Sequence, residues 1–368
     1  MLNGNFGNKM FKGIYYNKRI FITGHTGFKG SWLLYWLRKL NSTVCGFSDT
    51  VPTSPAHYEL IEKENFIDLR GDINNYENLK RELINFNPEL IFHLAAQPLV
   101  RLSYQQPVET FMTNVMGTVH ILDIAKDLPN LKGIVVITSD KCYENFEDNR
   151  AYTEDDRYGG HDPYSASKGA AEVAIQSFRK SFYKTSNPEK ILSSVRAGNV
   201  IGGGDWSDDR LIPDLVKNAA SYKTTIIRNP DAERPWQHVL EPLSGYLLIG
   251  QKILEGDLQM SDNWNFGPLN NDSLSVRSVY EISKKIWPDI YAEFPEQKNK
   301  LHEAKFLRLN SDKAKTLLKW HPVWSMEKAI EKTIKWYKEF YNNNKINTAK
   351  DLEEYIYDAQ NLSLIWTK

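Results

Sequence analysis

The chain has 368 residues, long for one compact domain and natural for two lobes sharing an interface. Lysine plus arginine and aspartate plus glutamate both number 46, so the formal net charge is zero, which argues against nucleic-acid binding and against a membrane-surface role. Cys45 and Cys142 are too few for a disulfide framework, no residue set has zinc or other metal-ligand spacing, and no apolar run exceeds strand size, so a soluble cytoplasmic protein is expected.

Residues 1–18 read as a polar, Asn-rich leader. The apolar run Arg19–Thr23 predicts a strand, and Gly30–Leu40 a helix. Between them lies Gly24-His25-Thr26-Gly27-Phe28-Lys29-Gly30. A strand, a glycine turn and a helix in that order make a dinucleotide diphosphate site. Gly24 permits the tight turn, Gly27 the approach of phosphate, and Gly30 the close packing of the helix, whose N-terminus favours an anion. The order Lys29 before Gly30 excludes a nucleoside-triphosphate loop.

Further strands are predicted at Thr43–Phe47, Phe66–Arg70, Leu90–Leu94, Gly133–Thr138 and Ile191–Arg196. Helices are predicted over Asn75–Phe86, Thr110–Lys126 and Tyr164–Tyr183. Short apolar strands between helices give an α/β fold, a doubly wound parallel sheet of Rossmann type, with a smaller C-terminal α/β substrate lobe. The division expected is residues 1–200 for the dinucleotide-binding domain and 201–368 mainly for the lobe, with some segments returning to the first domain. The second half is loop-rich, and only Ala329–Phe340 shows a clear amphipathic helical face. Asn342-Asn343-Asn344 reads as a break before a short polar tail.

Tyr164 and Lys168 are four apart near a helix start, so they share a face. Tyrosine ionises near pH 10. A neighbouring ammonium stabilises the phenolate, and lowering that value by about three units takes roughly 4 kcal/mol. Thr138-Ser139-Asp140-Lys141 directly follows a strand, where open α/β sheets place their ligands.

With these three elements in place, the chain resembles the extended short-chain dehydrogenase/reductase family that acts on nucleotide sugars. Leu94-Ala95-Ala96, Gly71-Asp72-Ile73 and Asn114-Val115-Met116-Gly117-Thr118 extend the likeness over nearly the whole chain. Within the family, Gly24–Trp32, Arg196–Trp206 and Arg234–Leu240 are similar to the 4,6-dehydratase branch that takes CDP-glucose. The dTDP-glucose branch has Thr-Asp-Glu where this chain has Ser139-Asp140-Lys141.

The resemblance implies NAD as cofactor, held by Gly24, Thr26, Gly27, Phe28, Gly30, Asp72, Ile73, Leu94, Ala95, Ala96, Thr138, Tyr164 and Lys168. The ribose-binding aspartate of the family falls at Ser48 or Asp49, and Asp49 is the candidate, disfavouring a 2′-phosphate. Tyr164, Lys168, Ser139, Asp140 and Lys141 are implied to be catalytic. Tyr164 takes the proton of the sugar's 4-hydroxyl, Asp140 is the acid for the departing 6-hydroxyl, and Lys141 is either the carbon-5 base or a charged stabiliser of the enolate. Asn199, Arg210, Arg234 and His238 are implied substrate contacts, with arginine suited to phosphate. A homodimer or homotetramer is expected, paired through the Thr110–Lys126 and Tyr164–Tyr183 helices. The pathway implied is dideoxysugar synthesis for a surface polysaccharide. An epimerase or another nucleotide-sugar dehydratase is the nearest alternative, and a catalytically silent NAD-binding protein a distant one.

Overall fold

The structure, a computed structural model, describes residues 9–146, 150–185, 189–268, 273–295 and 307–368. Strands β1 (Arg19–Thr23), β2 (Thr43–Ser48), β3 (Phe66–Arg70), β4 (Leu90–His93), β5 (Gly133–Ile137), β6 (Ile191–Ala197) and β7 (Asn263–Phe266) form one sheet among the described residues. Their order is β3-β2-β1-β4-β5-β6-β7, with every pairing parallel. The direction of winding reverses between β1 and β4, which opens a crevice at the carboxyl ends of those strands, the usual ligand position in such sheets.

Alternation along the strands explains the layering. Ile20, Ile22, Leu90, Phe92, Val135 and Ile137 enter one buried cluster, while Phe21, Ile91, Ile134 and Val136 enter the other. Successive side chains point to opposite faces, so strands apolar at every position must be covered on both. Helix α1 (Phe28–Lys39) covers the first face, and α2 (Tyr76–Phe86), α3 (Gly117–Ala125) and α4 (Pro163–Phe178) lie on the second. The segment expected to be one helix over 110–126 runs from Pro107–Phe111 through a π turn at Met112–Met116 into α3. The helix expected to reach Tyr183 likewise ends in a π turn at Arg179–Tyr183.

Four features of the structure depart from the pattern read along the chain. Helix α5 (Leu240–Glu255) joins α1 on the first face and is buried nearly all round, so it carries no polar stripe for periodicity to detect. Strand β7 alternates Asn with Trp and Phe, yet every residue of it is buried. The tail expected after Asn344 is instead helix α6 (Thr348–Asn361) followed by a turn that buries Trp366 completely. The leader is not polar throughout either: Met10, Phe11 and Tyr15 are buried, with Phe11 stacked on Trp366 at 5.4 Å, while residues 1–8 lie outside the described residues.

Candidate active site

The loop from β1 to α1 turns at Gly24, whose φ is +75°. An added Cβ there would lie 2.7 Å from the Ala95 amide nitrogen, so only glycine fits both the left-handed backbone and the neighbouring strand end. At Gly30 the same atom would meet the Gly24 carbonyl oxygen at 2.1 Å. At Gly27 it would touch only that carbonyl, at 3.4 Å, and otherwise project into open space beyond the N-terminus of α1. Gly27 caps that helix with no side-chain hydrogen bond, so first-turn N–H groups are left facing that space. This cradle fits a dinucleotide diphosphate.

Side chains brace the loop from behind. Ser48 at the end of β2 meets His25 Nδ1 at 2.9 Å and accepts from the Thr26 amide at 3.4 Å. His25 Nε2 meets Asp68 at 2.8 Å, and burial lowers the His25 pKa. Asp68 also accepts from the Tyr58 hydroxyl and from Arg70, at 2.6 and 2.9 Å. Ser48 is therefore turned inward, whereas Asp49 is exposed at the strand end. The Thr26 hydroxyl donates to the Thr50 carbonyl at 2.7 Å. Phe28, in the first turn of α1, reaches toward Gly202.

Beyond β4, Leu94, Ala95 and Ala96 are half-buried along the crevice, and the amides of the first two donate to Thr23 Oγ1 at 3.2 Å. His93 links that hydroxyl, at 2.7 Å, to Thr118 Oγ1, at 3.1 Å, and burial pushes its pKa down to about 3. A neutral imidazole thus joins β1, β4 and α3 directly behind the crevice. At the end of β3, Asp72 is exposed and accepts from the Asn74 amide, while Ile73 is buried against Gly117.

The turn after β5 brings the acid–base groups together. Thr138 Oγ1 donates to Glu172 at 2.5 Å. Ser139 Oγ donates to Asp140 at 2.9 Å and accepts the Lys141 amide at 3.2 Å. Tyr164 opens α4 after Pro163, with Asp162 as N-cap accepting from the Ser165 amide. Its amide donates to Ser103 Oγ at 3.1 Å, which fixes the helix start against the segment following β4.

Burial raises the Tyr164 pKa to about 12, while a hydrogen bond with Ser139 lowers it, Asp140 raises it and Arg210 lowers it. Lys168 is drawn down to about 8 by burial, against the pull of Glu172. Asp140 is buried and its pKa is raised by desolvation, despite Lys141, Ser139 and Lys29. Arg210 thus joins Lys168 as a cation at the reaction end of the crevice.

The four expected substrate contacts separate. Asn199 follows β6 beside Gly198, where an added Cβ would lie 3.4 Å from Asp140 Oδ2. Arg210 is paired with Asp205 at 2.7 Å and acts on Tyr164, so it lies at the reaction end. Arg234 is 8% exposed and donates to the Glu233 carbonyl at 2.8 Å. His238 is 0% exposed, set edge-to-face against Trp32 and Trp324 at 5.9 and 4.9 Å. Burial drives its pKa to about 3.

Spacing alone passed over Lys29 and Glu172. Lys29 lies in the cleft wall, its pKa lowered to about 8 by burial and the charges of Arg210 and Lys168, with Asp140 opposing. A lysine inside a glycine loop was the available signal. For Glu172 the signal was its position one helical turn after Lys168. Among the described residues, no group of three or more His, Cys, Asp or Glu side chains could hold a metal ion.

Known proteins match this arrangement. The chain is 44% identical over 351 residues to the CDP-glucose 4,6-dehydratase of Salmonella typhimurium, covering 94% of this chain and 98% of the relative. The fold is that of the dTDP-glucose 4,6-dehydratase of Bacillus anthracis, solved in complex with NAD, with a TM-score of 0.72, 23% identity and coverage of 88% and 97%. An epimerase of Methanothermobacter thermautotrophicus superimposes with a TM-score of 0.79 at 23% identity, covering 91% and 97%. The family described as GDP-mannose 4,6 dehydratase matches residues 21–333, taking in the glycine cradle, the Ser139–Lys141 turn and the Tyr164/Lys168 helix, and the chain belongs to that family.

Proposed function

We propose that the protein is an NAD-dependent lyase that converts CDP-D-glucose to CDP-4-keto-6-deoxy-D-glucose and water. The observation that carries this reading is the 44% identity to the Salmonella enzyme along 94% of the chain. Gly24, Gly27, Gly30 and the first turn of α1 would hold the diphosphate of NAD, with Ile73 and Leu94–Ala96 along the adenosine side. Asp49 would hold the ribose; Ser48 is committed to His25, so the exposed carboxylate is the group left for that task.

The chemistry that bound NAD supplies is acceptance of hydride from carbon 4 and its return to carbon 6. Tyr164 takes the proton of the 4-hydroxyl, assisted by Ser139 and the positive field of Arg210 and Lys168. The ketone so formed acidifies the proton on carbon 5. Asp140, whose raised pKa keeps a proton available at higher pH than an ordinary carboxyl, delivers it to the departing 6-hydroxyl. Lys141 acts at carbon 5, as base or as the charge that stabilises the enolate. Asn199 and Arg234 contact the nucleotide diphosphate.

Incubation with CDP-, dTDP-, UDP- and GDP-glucose, scoring the keto-deoxy product, tests the reading; CDP-glucose is expected to be preferred, and preference for another base overturns the substrate. Deuterium on carbon 4 should appear on carbon 6 of the product, whereas an epimerase would return it to carbon 4. Lys141→Ala should keep NAD binding and lose turnover.

Two copies of the chain pair, in our reading, through the exposed apolar strip of Val108, Phe111, Met112 and Met116, together with Val173 on α4. No helix among the described residues is long and apolar enough to cross a membrane. That fits action in the cytoplasm, supplying a keto-deoxy sugar for dideoxysugar and surface-polysaccharide synthesis.

A further inference from the structure

Beneath the Ser139–Lys141 turn lies a buried ion pair that none of the steps above uses. Glu172 and Arg196 are both 0% exposed, with Arg196 Nε 2.7 Å from Glu172 Oε1. Glu172 also accepts from Thr138 Oγ1 at 2.5 Å and from Ser194 Oγ at 2.8 Å. Arg196 donates to the hydroxyls of Tyr143 and of Tyr158, the latter at 2.8 Å, and its guanidinium carbon lies 4.9 and 5.0 Å from their ring centroids. Tyr143 passes the contact on to Asn265 of β7 at 2.8 Å. Thr138 and Tyr143 are the two ends of the turn that carries Ser139, Asp140 and Lys141. Glu172 holds the first end and Arg196 the second. Glu172 is also one turn along α4 from Lys168, on the same helix face.

We propose that the Glu172–Arg196 pair is a positioning clamp: it fixes both ends of the Ser139–Lys141 turn relative to α4 and sets a carboxylate one helical turn from Lys168. A pair buried this completely is costly to desolvate and is weak support for stability alone. Its geometry is better matched to registering two elements whose side chains must meet within a fraction of an ångström.

Lys168 feels the charges of Glu172 on its own helix, Cys142 on the turn, His93 at the end of β4 and Lys29 on α1, with Tyr164 one helical turn before it. Glu172 supplies the largest pull toward the charged form. Replacing that carboxylate by an amide leaves the Arg196 cation uncompensated, so the sign is a Lys168 that loses its proton at lower pH.

The clamp rests on the dehydratase reading for its kinetic arm only. In Glu172→Gln, kcat with CDP-glucose and NAD is expected to fall at least tenfold with KM within threefold, and the alkaline limb of the kcat profile to move down by half a pH unit or more. A 13Cε-lysine NMR titration of the enzyme, with Lys168 assigned by its loss in Lys168→Arg, should show the same displacement and needs no substrate. Tyr143→Phe removes one end of the grip and keeps the charge: kcat should fall at least threefold with the Lys168 titration unmoved. A folded Glu172→Gln enzyme with wild-type kcat and an unmoved Lys168 overturns the clamp. If Glu172→Gln does not fold, wild-type turnover in Tyr143→Phe overturns it. Inactivity of the wild-type protein on CDP-glucose would instead refute the substrate, and the NMR arm would still decide the clamp.

Discussion

At the residue scale, Gly24 has the least freedom. Its φ of +75° and the 2.7 Å separation of an added Cβ from the Ala95 amide combine two penalties, a left-handed backbone and a clash with a strand end. Gly24→Ala is expected to cost about 1–3 kcal/mol from the backbone conformation alone, and more from the displaced β4 end. Calorimetric titration with NAD should show weakened binding, and the thermal midpoint should fall. Gly27→Ala makes a useful contrast. With only a 3.4 Å contact to the Gly24 carbonyl, it should leave the midpoint nearly unchanged while still weakening the dinucleotide, since the added methyl enters the cradle. Tyr164→Phe removes the proton acceptor and should lower kcat by about 10²–10⁴, measured as keto-deoxy sugar formed per minute, with NAD binding retained.

Local spacing carries much of this site. Gly24, Gly27 and Gly30 lie within seven residues of each other, and Tyr164 and Lys168 within five, so sequence and geometry share one scale. What the spacing left open were side-chain directions. Whether Ser48 or Asp49 faces the crevice depends on a hydrogen bond to His25 from a different loop. His238 sits three residues from Pro235, in a motif-like run that gives no sign of its burial between Trp32 and Trp324.

At the element scale, the decisive contacts are those that fasten the chain after residue 320 to α5. Helix α7 (Met326–Asn343) and α6, which follows it, lie around buried Glu241 and Asp351. Glu241 accepts the amides of Val323 and Trp324 at 3.0 and 2.8 Å and the Tyr355 hydroxyl at 2.8 Å. Burial nevertheless raises its pKa to about 7, and that of Asp351, paired with Lys332, to about 7 as well. An acid whose folded pKa lies above its unfolded value near 4 favours the folded state most when protonated. That contribution is fully present below about pH 4 and is lost as pH rises to about 7. The unfolding free energy from urea titration should therefore decline between pH 5 and 7, by on the order of 1–3 kcal/mol per group, and the decline should flatten in a Glu241→Gln/Asp351→Asn variant. Periodicity recovered β1, β2, β4 and β5 because they are mostly apolar and buried on both faces, and it recovered β3 and β6 from short apolar runs despite Asp68, Arg70, Ser193 and Ser194. It missed β7, where Asn263 and Asn265 spend their polarity on buried hydrogen bonds with Arg179 and Tyr143. It passed over the last helix although Leu352, Tyr355, Ile356 and Ala359 make a buried face at helical spacing, because charged residues fill the positions between them.

At the scale of the whole molecule, the sheet edge gathers groups from β1, β4, β5 and β6 into one crevice, and the opposite side of α4 exposes Val173 beside the apolar strip proposed above for pairing. Phe111→Glu and Met112→Glu together place two charges in the apolar strip, and under the proposed pairing sedimentation should shift from dimers or tetramers for the wild-type chain to monomers for the variant. Activity should fall less than assembly, since neither residue lines the crevice. An unchanged sedimentation coefficient would remove this strip as the pairing surface.

Phe11 and Trp366 bring the two ends of the described chain together, and the Lys12 amide donates to the Lys368 carbonyl at 2.9 Å. Residues 12 and 368 therefore lie side by side on the α1 face of the sheet, the face opposite α4. A short linker from residue 368 to residue 9 would add little loop-closure entropy. New ends could then be opened at Tyr222, 90% exposed in a turn, to give a circular permutant that folds with the same crevice.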